Sequence, residues 1–88
     1  MIEKDVTIKN RAGLHTRPAA TLVKLASKFD SEIFLIRDGF RINAKSIIGV
    51  MTLAAEQGCL LQLTVDGIDE KDATEQLVNL FDSGFDES

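Results

Sequence analysis

Eighty-eight residues, 44% of them hydrophobic, are enough for one small core and too apolar for a disordered chain. The formal charge of −4 weighs against nonspecific nucleic-acid binding as the main task, and no apolar run approaches the roughly 20 residues that span a bilayer. A single cysteine, Cys59, excludes an internal disulfide and a cysteine-cluster zinc site, and the amino-terminal MIEKDVTIKN lacks a secretion signal's apolar stretch, so a cytoplasmic protein is expected.

Residues 2–8 place Ile2, Val6 and Ile8 on one face at period two, interrupted by Lys4, which predicts a half-buried strand. After a turn over Asn10–Gly13, the stretch 16–28 carries Ala19, Leu22, Val23 and Ala26 at helical spacing. Leu25 and Phe29 widen that face. Pro18 suits a first helical turn, where its missing N–H has no intrahelical use. EIFLIR and FRINA follow, joined by Asp38-Gly39, a strong two-residue hairpin signal. Ser46 stands at an N-cap position before IIGVMTLAA, a short helix weakened by Gly49 and its β-branched residues, with a stop at Gln57-Gly58.

LLQLTV alternates Leu61, Leu63 and Val65 and predicts a fourth strand, and Cys59 is expected to be a buried or half-buried strand residue without redox duty. Asp69 is placed to cap a last helix with Ala73, Leu77, Leu80 and Phe81 as its buried stripe, and Glu70 and Asp72 complement its dipole. Residues 83–88 are expected to fray. The order βαββαβα, without linker or repeat, predicts a single domain over 1–88. Its fold class is α+β, an open-faced sandwich with three helices on one side of one sheet.

Charge is unevenly placed. From Lys9 to Lys28 there are five basic residues and no acid, whereas from Asp66 to Ser88 there are eight acids and one lysine. The positive stretch surrounds His15, the only histidine, at or beside the N-cap of the first helix. Free N–H groups of Thr16 and Arg17 and the positive end of the macrodipole meet an anion there. An imidazole at that spot is disfavoured as a cation, so one nitrogen stays available as a nucleophile. The guanidinium of Arg17 has the reach to grip two phosphoryl oxygens. A lone histidine before a helix is more often an ordinary surface residue. Without a neighbouring carboxylate or second nucleophile it makes a poor enzyme site, and without a second histidine or cysteine a poor metal site.

GLHTRPAA, residues 13–20, resembles the active-site stretch of the HPr family, the histidine-containing phosphocarriers of the bacterial phosphoenolpyruvate:sugar phosphotransferase system. NAKSIIGVMTLAAEQG, residues 43–58, resembles that family's second signature. The resemblance implies a four-stranded antiparallel sheet backed by three helices. It implies a monomeric carrier, not an enzyme, that needs no cofactor or metal. His15 would accept a phosphoryl group on Nδ1 from phospho-enzyme I and give it to an enzyme IIA domain, with Arg17 steadying it. It also implies a docking surface of Thr16, Lys24, Ile47, Ile48 and Met51, although packing in the core suits Ile47 nearly as well. Ser46 matches the serine that an ATP-dependent HPr kinase/phosphorylase modifies in some bacteria, which would bring in a catabolite-control transcription factor. Residue by residue, that serine is first of all a helix cap.

Two other readings compete. One is a mainly regulatory HPr paralogue, controlled at Ser46 in a cell lacking complete sugar permeases. The other is an RNA-binding sheet of the same element order, disfavoured because the middle strands supply only Phe40 for stacking and the chain is acidic.

Overall fold

The computed structural model describes residues 1–87. Its elements are β1 (Ile2–Thr7), α1 (Thr16–Ala26), β2 (Glu32–Arg37), β3 (Phe40–Asn43), α2 (Ile47–Thr52), β4 (Leu60–Asp66) and α3 (Glu70–Asp82), followed by a 3₁₀ turn at Gly84–Asp86. The four strands form one antiparallel sheet in the order β1-β4-β2-β3. β4 is central because its alternate residues Leu61, Leu63 and Val65 are fully inward, facing Val6 of β1 and Ile33 and Leu35 of β2 across the ladder. Against them pack Ala19, Leu22 and Ala26 of α1, Val50 of α2, and Ala73, Leu77 and Phe81 of α3, forming one core cluster. Burying a Leu or Phe of this kind is worth roughly 1.5–3 kcal/mol each, so these period-two and period-3.6 patterns hold the helices to the sheet.

The Asp38-Gly39 hairpin forms as expected. Both residues have positive φ, 51° and 81°, the backbone a two-residue turn of matching twist requires. On the outer face of the sheet the Arg41 guanidinium lies 3.7 Å over the Phe34 ring, so this aromatic is covered by a cation.

Several expectations needed correction. β1 ends one residue early at Thr7, although Ile8 stays buried and its N–H donates to the Cys59 carbonyl at 3.0 Å. α1 ends at Ala26, short of Lys28. α2 stops at Thr52, well before Gln57-Gly58, because neighbours compete for its last carbonyls. The Arg37 guanidinium donates to Leu53 and Ala54 oxygens at 2.9 and 3.1 Å, and Ala54 turns left-handed at φ 50°. Asp69 does occupy the N-cap of α3, but its carboxylate does not cap that helix. It accepts instead from the Asp30 and Ser31 N–H groups, at 2.8 and 3.0 Å, and from the Ser31 hydroxyl, stitching α3 to the start of β2. Leu80 is half-buried and lies at the border of the stripe.

The largest difference concerns the tail. Where fraying was expected, Gly84 and Phe85 are buried between the exposed Ser83 and Asp86, and Phe85 meets Phe81 edge-on, ring centroids 5.1 Å apart. Ser88 lies outside the described residues.

Candidate functional site

The loop before α1 is built to present residue 15. Asn10 is buried; its carbonyl accepts from the Gly13 N–H at 3.2 Å and its side-chain amide donates to the Gly13 carbonyl at 2.8 Å. Gly13 sits at φ 73° with its Cα against residues 55 and 56, where a Cβ would collide with the Ala55 carbonyl oxygen. Leu14 is buried, and its N–H donates to that same carbonyl at 2.9 Å. With residues 13 and 14 fixed on both sides, His15 emerges at the N-cap of α1. Its backbone is extended (φ −80°, ψ −169°), and its carbonyl accepts the first helical bond from Ala19 at 2.9 Å.

The His15 ring makes no capping bond to the helix, and its side chain is 47% exposed. A residue whose side chain does not cap leaves the first-turn amides open, and Pro18 has no N–H, so Thr16 and Arg17 supply the donors at this end. No acid lies in the first turn of α1 to compete with an incoming anion. Arg17 is exposed and shares a shallow cleft with Arg11, Ala12, Asp86 and Glu87. Among the described residues Arg17 forms no ion pair. A second shallow depression is lined by His15 itself with Thr16, Met51 and residues 54–56. The arrangement leaves a ring nitrogen reachable from solvent and offers oxygen-binding donors beside it.

Ser46 is exposed at the N-cap of α2, and its Oγ accepts from the Gly49 N–H at 3.1 Å. Ile47 and Met51 are exposed beyond a third of their surface and Ile48 to 76%, whereas Val50 alone of this helix is fully inward. The apolar edge of α2 thus lies open next to the His15 depression, joined to it through Met51. Lys24 is exposed in the last turn of α1, roughly 12 Å along the helix from Thr16, so it stands apart from the ring.

No carboxylate lies near His15 in the sequence; the fold supplies one. Glu87 Oε1 lies 3.8 Å from His15 Nε2 and accepts from the Asn10 side-chain amide at 3.1 Å. The signal for this contact was Phe85, an isolated aromatic in an otherwise polar tail, together with an asparagine at position 10 that the turn alone did not explain.

No helix among the described residues is long and apolar enough to cross a membrane, and no three His, Cys, Asp or Glu residues among them cluster as a metal site would require. The family model described as "PTS HPr component phosphorylation site" matches residues 2–83. The phosphocarrier protein HPr of Treponema pallidum is 52% identical over 87 residues, covering 99% of each chain. The HPr-like protein Crh of Halalkalibacterium halodurans is 47% identical over 78 residues, 89% of this chain and 93% of that one. Among solved structures, HPr from Thermoanaerobacter tengcongensis superposes with a TM-score of 0.96 at 46% identity, covering 100% of this chain and 99% of that one. A match over nearly the whole chain in sequence and in fold places the chain in the HPr family, the phosphocarriers of the phosphoenolpyruvate-dependent phosphotransferase system.

Proposed function

We propose that this chain relays a phosphoryl group on His15 from phospho-enzyme I to an enzyme IIA domain in the cytoplasm, as a stoichiometric carrier and not as an enzyme. The single observation that carries the reading is the exposed imidazole held at the N-cap of α1, uncapped, beside Arg17 and the first-turn amides. In the transfer, the Nδ1 lone pair forms the new bond to phosphorus as the bond to the donor breaks. The phosphoryl oxygens then lie where Thr16 and Arg17 N–H groups and the Arg17 guanidinium donate to them. In the second half-reaction a nucleophilic side chain of the enzyme IIA domain forms its bond to phosphorus as the P–Nδ1 bond breaks, whose electron pair returns to the ring. The grip is open to solvent and shallow, so the group is held without being trapped. Ile47, Ile48, Met51 and Thr16 form the apolar rim on which both partners dock, with Lys24 at its periphery.

The test is incubation with phosphoenolpyruvate and enzyme I, followed by mass spectrometry. The wild-type chain gains one acid-labile phosphoryl group and His15→Ala gains none. A wild-type chain that gains nothing refutes the relay.

A second reading is favoured by one observation: Crh proteins are among the relatives, and one is described in its structure as the Bacillus subtilis catabolite repression HPr. In this reading Ser46 is modified by an ATP-dependent kinase/phosphorylase, and the product docks on a catabolite-control transcription factor. A phosphate on Ser46 gains the α2 amides instead of breaking that short helix. ATP-dependent labelling that persists in Ser46→Ala refutes the assignment.

A further inference from the structure

α2 ends in a conformation that its own residues do not favour. Ala54 follows the C-cap Leu53 in the left-handed region at φ 50°, a place where helices ordinarily set glycine. Ala54 is exposed, so packing of its methyl group does not impose the turn. The last turn of α2 also holds no basic residue of its own to meet its free carbonyls.

Arg37 of β2 supplies what is missing. Its Nη1 donates to the Leu53 carbonyl at 2.9 Å and to the Ala54 carbonyl at 3.1 Å. Those carbonyls belong to the two peptide planes that meet at the Ala54 Cα, so holding both fixes the rotation about that atom. The one ion pair Arg37 forms among the described residues, to the exposed Asp38 at 3.9 Å, involves Nε and leaves Nη1 to the carbonyls. The next residue, Ala55, is buried, and its carbonyl accepts from the Leu14 N–H and lies against Gly13. A strained residue held by distant side-chain donors thus aims the carbonyl on which the His15 loop rests.

We propose that Arg37 is a positioning residue for phosphoryl transfer, holding Ala54 left-handed so that His15 and the Met51 end of the rim keep one docking-ready arrangement. This rests on the phosphocarrier reading and adds to it a residue of β2. Without the guanidinium, Ala54 relaxes toward the right-handed and extended conformations that alanine prefers, and the Ala55 carbonyl turns away from Leu14. A partner then finds a competent surface on only a fraction of the molecules, and its apparent affinity falls by that fraction. Docking selects the competent arrangement, so the loss falls on KM and not on kcat.

The experiment compares wild type, Arg37→Ala, Arg37→Lys, Ala54→Gly and the double variant Arg37→Ala with Ala54→Gly, each shown to be folded by urea unfolding. Two quantities are read: hydrogen exchange at the Leu14 amide, and transfer from enzyme I with phosphoenolpyruvate at varied carrier concentration. In Arg37→Ala the Leu14 amide exchanges about tenfold faster and KM rises about tenfold, the loss of one charge-assisted hydrogen bond, while kcat holds within a factor of about two. Arg37→Lys keeps a cation near the same carbonyls and recovers part of both. In the double variant the two quantities return to within about threefold of Ala54→Gly alone, because glycine takes the left-handed backbone unaided. Unchanged Leu14 exchange in Arg37→Ala, a loss in kcat alone, or a double variant no better than Arg37→Ala overturns the proposal. If enzyme I labels no wild-type chain, the relay reading fails by itself, and Leu14 exchange that still follows residues 37 and 54 upholds the positioning.

Discussion

The Leu14 N–H donates to the Ala55 carbonyl at 2.9 Å, tying the loop in front of α1 to the segment that follows α2. The Arg37 guanidinium holds that segment from its other end through the Leu53 and Ala54 carbonyls. His15 therefore stands on backbone clamped by two separate parts of the fold, and its place at the helix entrance does not depend on α1 alone.

The close approach behind this clamp makes Gly13 irreplaceable. In Gly13→Ala the new Cβ meets the Ala55 oxygen, and the left-handed backbone costs roughly 1–2 kcal/mol by itself. The urea midpoint falls, and the His15 ring resonances move. An unshifted ring spectrum contradicts the clamp.

Ser46→Ala removes the acceptor of the Gly49 N–H and destabilises the protein by about 1 kcal/mol in urea unfolding. Ser46→Asp keeps an acceptor and adds a charge the helix end favours, so it retains most of that stability. Its transfer from phospho-enzyme I slows, because the added charge borders the apolar rim formed by Ile47 and Ile48.

Ile48 is the most exposed large hydrophobic residue of α2, so Ile48→Ala changes folding stability by no more than about 0.5 kcal/mol. If the rim docks partners, the same substitution weakens binding to enzyme I by about 1 kcal/mol or more in calorimetry. Unaltered binding removes Ile48 from the surface.

Hydrogen bonds from the Ser31 hydroxyl and the Asp30 N–H, with smaller backbone contributions, hold the Asp69 carboxyl below its usual 3.8. A carboxylate depressed in the folded state contributes stability that is fully present above its unfolded value and lost as pH falls through the folded one. Asp69→Asn consequently unfolds at lower urea than wild type at neutral pH. The gap closes as the solution is acidified below about 3.8, and a gap independent of pH contradicts the account.

The strand and helix types, the Asp38-Gly39 hairpin and the inward residues of β4 were legible because each depends on a short pattern that its neighbours reinforce. The position of His15 at an N-cap was legible for the same reason, since Pro18 and the apolar stripe of α1 fix where that helix starts. What escaped was decided by distant partners. The end of α2 depends on Arg37, 16 residues before Leu53 in β2. The use of Asp69 depends on Ser31, and the docking of Phe85 on Phe81 and the loop at Asn10. A polar tail carrying one phenylalanine reads as frayed until the groove that receives the ring is known.

On the proposed relay, the entrance of α1 cradles a phosphoryl group on one nitrogen of His15. The most direct measurement is the ¹⁵N and ³¹P NMR spectrum of the protein after transfer from phospho-enzyme I. Phosphorus is expected on Nδ1 of His15, with the largest amide shifts at Thr16 and Arg17. Phosphorus on Nε2 or on another residue, or amides of residues 16 and 17 that do not move, would contradict it.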